Sequence, residues 1–184
     1  MYISWVNSLL QSIENLVDFK NIDLIFTTSP PHSTQIIGYY LKRKYNIPWV
    51  ADFRDEWTNG HYIKEVYRGD EFRIQLHRNM EQNIVDFASK IITVSPASSA
   101  NYRDIFKISH DKVITITNGY DEEDFSHISN IKTLSKKFTI LYYGALYINR
   151  SLENIVVQVN ELIKEGIIDR NLIEIKIIGR IELS

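Results

Sequence analysis

The chain has 184 residues, 44% of them hydrophobic and 24% charged, and a net charge of −2. That composition builds a globular core and excludes intrinsic disorder, and the charge gives no general drive toward nucleic acid or an anionic membrane. There is no cysteine, which excludes disulfides, thiolate metal sites and cysteine nucleophiles.

Taken in order, the first stretch (MYISWVNSLLQSIENLVDF) places Trp5, Leu9, Ile13 and Leu16 at helical spacing. It has no basic leader and carries Gln11, Glu14 and Asp18, so it does not read as a signal peptide. No run reaches the ~18 apolar residues needed to span a bilayer. Residues 22–28 (IDLIFTT) read as a strand, with Leu24, Ile25 and Phe26 suited to burial on both faces. Ser29-Pro30-Pro31 breaks it, and Ser33 can cap a helix whose inner face holds Ile36, Ile37, Tyr40 and Leu41. Pro48 opens a strand at Trp49–Phe53, and a polar stretch around Asn59-Gly60 follows. Phe72, Leu76, Met80 and Ile84 then mark a long helix, which puts His77 on its solvated side. Next come a strand at 90–94 (KIITV), a helix at 98–106 and a strand at 112–117 (KVITIT) closed by Asn118-Gly119. Residues 121–137 are polar and aperiodic, as in a linker. Beyond them lie a strand at Phe138–Tyr143, a helix with Leu152, Ile155, Val156, Val159, Leu162 and Ile163 on one stripe, Gly166 as its stop, and a strand at Ile173–Ile178.

This β-α alternation with apolar strands predicts an α/β fold: a Rossmann-like parallel sheet with helices on both faces, plus a single βαβ piece of a second Rossmann-like domain. The implied domains are 1–120, a linker at 121–137, and 138–184. In such folds ligands sit beyond the carboxyl ends of the strands. Here those ends carry TTSPPHS, ADFRDEW, VSPASS, TNGYDEEDF and YYGALYINRS, where polar and charged residues gather.

The same segments carry a resemblance. DLIFTTSPPHSTQIIGYYLKRKYNIPWVADFRDEW is similar to the acceptor-side half of the N-terminal domain in family-4 retaining glycosyltransferases of the two-domain GT-B type. IITVSPASSANYR and KVITITNGYDEEDF resemble that domain's last two strands, with Asn118 and Gly119 at the hinge between domains. FTILYYGALYINRSLENIVVQVNELIKEG resembles the start of the nucleotide-sugar-binding domain. The likeness runs from Trp5 to Gly179. It implies a segment of an enzyme that moves a sugar from a nucleotide-sugar donor to a glycan or lipid-linked acceptor in bacterial-type surface polysaccharide assembly. In the family the departing phosphate itself can assist the incoming hydroxyl, so no dedicated protein base is required. The family's first strands would precede Met1, and its paired glutamates that grip ribose and sugar would follow IKIIGR. The expectation is therefore an incomplete enzyme, inactive alone; the alternative is a non-catalytic remnant or accessory binding half.

The acceptor-side candidates are Ser29, His32, Asp52, Arg54, Asp55 and Ser95. Asp52, Arg54 and Asp55 either orient an acceptor hydroxyl or form an Arg–carboxylate network that holds the next loop. Many relatives carry a His near Arg54, so a His-mediated role there is not implied. Ser29 with its two prolines, and Ser95 with Pro96, read equally as turn and cap residues, and His61 is a further lone histidine at the cleft. Gly144 and Arg150 are the donor-phosphate candidates, since a glycine turn before a helix lets N–H groups approach an anion. Ser151 reads as that helix's cap.

No metal or other cofactor is expected, because the sequence has no HExxH and no DxD at a strand end. The first strand would be an open edge without proline, lysine or a bulge, which predicts instability or self-association of the isolated chain. The reading places the protein in the cytoplasm or peripherally at the inner face of the cell membrane. A sugar-nucleotide epimerase sharing the fold fits the Asp-Arg-Asp-Trp segment less well, and no G-x-G-x-x-G supports a dehydrogenase.

Overall fold

The computed structural model describes residues 3–126, 136–146 and 151–181. They form two compact units, Met1–Tyr120 and Asp121–Ser184. The first contains α1 (Ile3–Leu16), β1 (Ile25–Ser29), α2 (Thr34–Tyr45), β2 (Trp49–Phe53), α3 (His61–Val66), α4 (Glu71–Phe87), β3 (Lys90–Thr93), α5 (Pro96–Phe106) and β4 (Val113–Thr115). Its strands pair in parallel in the order β1-β2-β3-β4, and the sheet is flanked by helices, a Rossmann-like α/β arrangement. The second unit pairs β5 (Phe138–Tyr143) in parallel with β6 (Ile173–Ile178), and α6 (Glu153–Lys164) lies between them in sequence.

The strands at Trp49–Phe53, Phe138–Tyr143 and Ile173–Ile178 match the sequence reading residue for residue. The first strand starts later than expected, because the Ile25 N–H is the first to find a partner, the Pro48 carbonyl at 2.9 Å. It is also not buried on both faces: Ile25, Thr27 and Ser29 are buried, whereas Phe26 is 56% exposed. Alternate residues face α2, and the opposite side of this edge strand is open. The stretch around Asn59-Gly60 leads into α3, whose short sequence HYIKEV has no helical apolar period.

A second correction concerns α4. Its buried stripe is Ile74, His77, Glu81, Ile84 and Val85, while Phe72 and Leu76 are exposed. The helix is turned so that two polar side chains enter the core, where each has hydrogen-bond partners. His77 is therefore buried rather than solvated, and its Nδ1 accepts from the Trp57 indole at 3.1 Å.

Trp49, Ala51 and Phe53 of β2 lie at the centre of the core, all within 1% exposure. A buried relay ties β1, β2 and α2 together. The Trp49 indole donates to Thr27 Oγ1 (2.8 Å), and Thr27 donates to Gln35 Oε1 (2.5 Å). Gln35 Nε2 in turn donates to Ser29 Oγ and to the Asp52 carbonyl, both at 2.9 Å. Every polar atom of that relay has a partner, the condition under which a buried network specifies one packing.

Gly38 lets α2 lie this close: a Cβ there would stand 2.2 Å from Trp49 Nε1. Gly38→Ala is expected to cost about 1–3 kcal/mol by overpacking, read as a lower thermal midpoint. An unchanged midpoint would contradict the close approach.

Candidate functional site

The carboxyl ends of β1, β2 and β4 are joined by one ion pair. Asp52, buried at the end of β2, accepts from Thr28 Oγ1 of β1 at 2.8 Å and from Arg54 Nη1 at 3.3 Å. Arg54 also donates to the Ile116 carbonyl at 3.2 Å and to Asn118 Oδ1. Its backbone N–H bonds the Ser29 carbonyl at 3.0 Å. The guanidinium thus spans the sheet's edge, from β2 to the segment after β4. The Asp55 side chain is exposed beside this network.

His32 sits in the turn after β1. Its ring stacks on Trp57, with centroids 5.3 Å apart and planes 8° from parallel. Nδ1 is buried and has no hydrogen-bond partner among the described residues. Burial pushes its pKa down to about 4, against a weaker upward pull from the Asp55 carboxylate. The neighbouring Ser33 Oγ is likewise buried without a partner and makes no cap bond to α2. That departs from the cap role the sequence suggested, because Ser33 itself lies in the helical region of backbone space.

Behind the turn, Glu81 of α4 is almost fully buried. Its Oε2 accepts from the N–H (3.0 Å) and the hydroxyl of Thr58, and its Oε1 accepts from Tyr102 of α5 at 2.8 Å. Burial raises the Glu81 pKa, while these bonds pull it down. Burial pushes the Tyr102 phenol well above its usual range. Together the three groups fix the loop after β2 against two helices.

Ser95 caps α5: its Oγ accepts from the Ser98 N–H at 3.1 Å. A hydroxyl chain runs on from β3, with Thr93 and Ser99 at 2.7 Å and Ser99 and Thr115 at 2.6 Å.

In the second unit, Gly144 follows β5 with φ +150° and Gly179 follows β6 with φ +146°. The Gly144 N–H donates to the Ile178 carbonyl at 2.9 Å. Ser151 Oγ accepts from the Glu153 N–H at 3.0 Å, at the start of α6. Arg150 lies outside the described residues, and so does the side chain of His61. A Cβ on Gly179 would stand 2.0 Å from the Gly144 carbonyl oxygen. Gly179→Ala should therefore separate the ends of β5 and β6 at about 1–3 kcal/mol. Faster amide exchange in β5 and β6 checks this, and unchanged exchange would contradict it.

The sequence profile described as Glycosyltransferase Family 4 matches residues 2–124, more than half of the chain. The chain belongs to Glycosyltransferase Family 4. A search of curated proteins finds no match.

The family match covers every candidate of the first unit: Ser29, His32, Asp52, Arg54, Asp55, Ser95, Asn118 and Gly119. The structure brings Ser29, Asp52, Arg54 and Asn118 into one connected network and places His32 in the same turn as Ser29. Ser95 belongs to a separate cap. Gly119 is exposed with nothing within 4 Å of an added Cβ. Gln35 and Glu81, which hold the turn and the loop, were not singled out by sequence, and Trp57 entered only as the last residue of the Asp-Arg-Asp-Trp segment. A glutamine or glutamate inside a helix reads as solvated, and only the recurrence of Ile74, His77, Glu81 and Ile84 at three- and four-residue steps signals the inward face. Among the described residues no group of three or more His, Asp or Glu could hold a metal, and no helix is long and apolar enough to cross a membrane.

Proposed function

We propose that this family-4 domain forms the acceptor side of a glycosyltransferase that uses a nucleotide-sugar donor and a glycan or lipid-linked acceptor. The carboxyl edge of β1–β4 is the surface on which the acceptor rests. The observation that carries this is the Asp52–Arg54–Asn118 network. It holds the strand ends in fixed register and leaves Asp55 exposed beside His32 to meet sugar hydroxyls. A carboxylate accepts from hydroxyl groups, and a preformed edge lowers the entropy of fixing them.

The proposal includes a donor diphosphate at the Gly144 turn with Arg150, a hinge at Asn118-Gly119, no metal requirement, and transfer with retention assisted by the departing phosphate. It includes a cytoplasmic or peripheral membrane location. These 184 residues alone are proposed not to complete transfer; the Gly144 N–H itself is bonded to Ile178, so a phosphate at that turn would depend on other N–H groups and on Arg150. Self-association through the β1 edge belongs to the same reading, with Phe26 exposed there. Phe26→Lys should lower the sedimentation-derived association constant at least about tenfold, and an unchanged constant would remove that part.

The test of the central reading is equilibrium binding of a panel of lipid-linked saccharides, run beside a transfer assay with labelled nucleotide sugars. Acceptor binding that weakens at least about tenfold in Asp55→Ala, without turnover, is expected. No saccharide bound, or binding indifferent to that substitution, would contradict it.

A further inference from the structure

On the helical side of the first unit, α4 and α5 enclose a groove of about 410 Å³. That is within the size range of sites that take small ligands, roughly 300–1,000 Å³. Its chemistry is unusual for a helix–helix seam. Four carboxamides line it: Asn59 from the loop after β2, and Gln75, Asn79 and Gln82 from successive turns of α4. Ile105 and Phe106 of α5 form an apolar side, with Ile105 48% exposed. Arg78 is the one charged residue of the lining, and it has no hydrogen bond or ion pair among the described residues.

Carboxamides present both donors and acceptors without charge, which is the pattern that vicinal sugar hydroxyls need. Their mutual bonds leave complementary groups over. Gln75 Nε2 donates to Asn79 Oδ1 at 2.9 Å, so the Asn79 amide N–H groups and the Gln75 carbonyl remain for a ligand. Gln82 Nε2 donates to Asp86 at 2.9 Å, so its carbonyl oxygen remains as an acceptor. The C–H face of a pyranose has a matching apolar surface at Ile105.

The groove and the strand-end surface share the loop that leaves β2. Thr58 and Asn59 line its upper end, and Asp55, Glu56 and Trp57 precede them directly in the loop leaving β2. Glu81 pins that loop by the Thr58 N–H at 3.0 Å, so the loop that borders both surfaces is held in place. Asn59 and Asn101 both donate to Glu56, which anchors the same segment to α5.

We propose that the α4–α5 groove is an oligosaccharide subsite, which holds sugar units of an extended acceptor some distance from the reacting end. The part that makes the ligand an acceptor rests on the function proposed above; the groove's affinity for a glycan does not. The subsite favours chains of several units over monosaccharides, and Arg78 adds preference for a carboxylated sugar.

A glycan array probed with the full chain tests this, using the wild type, the exposed groove variant Asn79→Ala/Gln82→Ala and the strand-end variant Asp55→Ala. The expected result is binding of at least one oligosaccharide, weakened at least tenfold in the groove variant with its circular dichroism unchanged. Loss in Asp55→Ala as well shows that the same glycan reaches the strand ends. Loss in the groove variant alone upholds the subsite and overturns its assignment to the acceptor. No glycan bound, or binding indifferent to the groove variant, overturns the proposal.

Discussion

Glu81→Ala is expected to destabilise the first unit by about 3–4 kcal/mol, a large share of a domain stability of about 5–15 kcal/mol. The substitution leaves the Thr58 N–H, the Thr58 hydroxyl and the Tyr102 phenol buried without their acceptor. Each such group left unpaired costs about 1–3 kcal/mol. It also frees the loop after β2, on which Asp55 and Trp57 stand. Glu81→Gln separates geometry from charge. Its carbonyl can accept from Thr58 and its amide can donate to the Tyr102 oxygen, so most of the stability should return. Urea unfolding of the three proteins at one pH checks the order. A Glu81→Gln protein as weak as Glu81→Ala would mean that charge, not hydrogen-bond geometry, holds the loop.

His32 should make the unit sensitive to acid. Its pKa is lowered from 6.5 to about 4 in the fold, so the folded state resists taking a proton that the unfolded state accepts. The stability it contributes is full above pH 6.5 and is lost as the pH falls toward and through about 4. That gap corresponds to about 3 kcal/mol. Glu81 works in the other direction: its pKa is raised by burial, so its contribution is full below 4.5 and declines as the pH climbs through its raised value. His32→Phe keeps the ring stacked on Trp57 and removes the titrating group. Stability measured from pH 7 to pH 4 should fall by about 3 kcal/mol less in this variant than in the wild type. Parallel curves would show that the imidazole does not titrate from this buried state.

The strands were legible because their signal is local. Trp49–Phe53 follows a proline and leads into charge, Phe138–Tyr143 ends at a glycine, and Ile173–Ile178 alternates apolar and charged residues as far as Ile177 and ends before a glycine. The same rule misjudged the first strand, since an apolar run shows that both faces can be buried and not that both are covered. α4 was harder. Its inward face carries His77 and Glu81, whose partners Trp57, Thr58 and Tyr102 are 20 to 23 residues away. No period of apolar residues reports that kind of pairing.

At the site, Asp52, Arg54 and Asn118 were visible as polar groups at strand ends. Their joining into one network was not, because Arg54 reaches Asn118 across 64 residues of sequence. Gln35 illustrates the limit most clearly. It is fully buried and makes three side-chain hydrogen bonds in the relay through Thr27, Ser29 and Asp52, yet in sequence it is one polar residue in the first turn of an amphipathic helix.

The central claim is that the strand ends of the first sheet receive a sugar acceptor, and a map of the acceptor's footprint tests it most directly. Amide shifts of the isotope-labelled chain would be followed during titration with the tightest lipid-linked saccharide of the panel. The account predicts that the largest changes fall on His32, Arg54, Asp55 and Asn118. Changes confined to residues remote from those strand ends would contradict it.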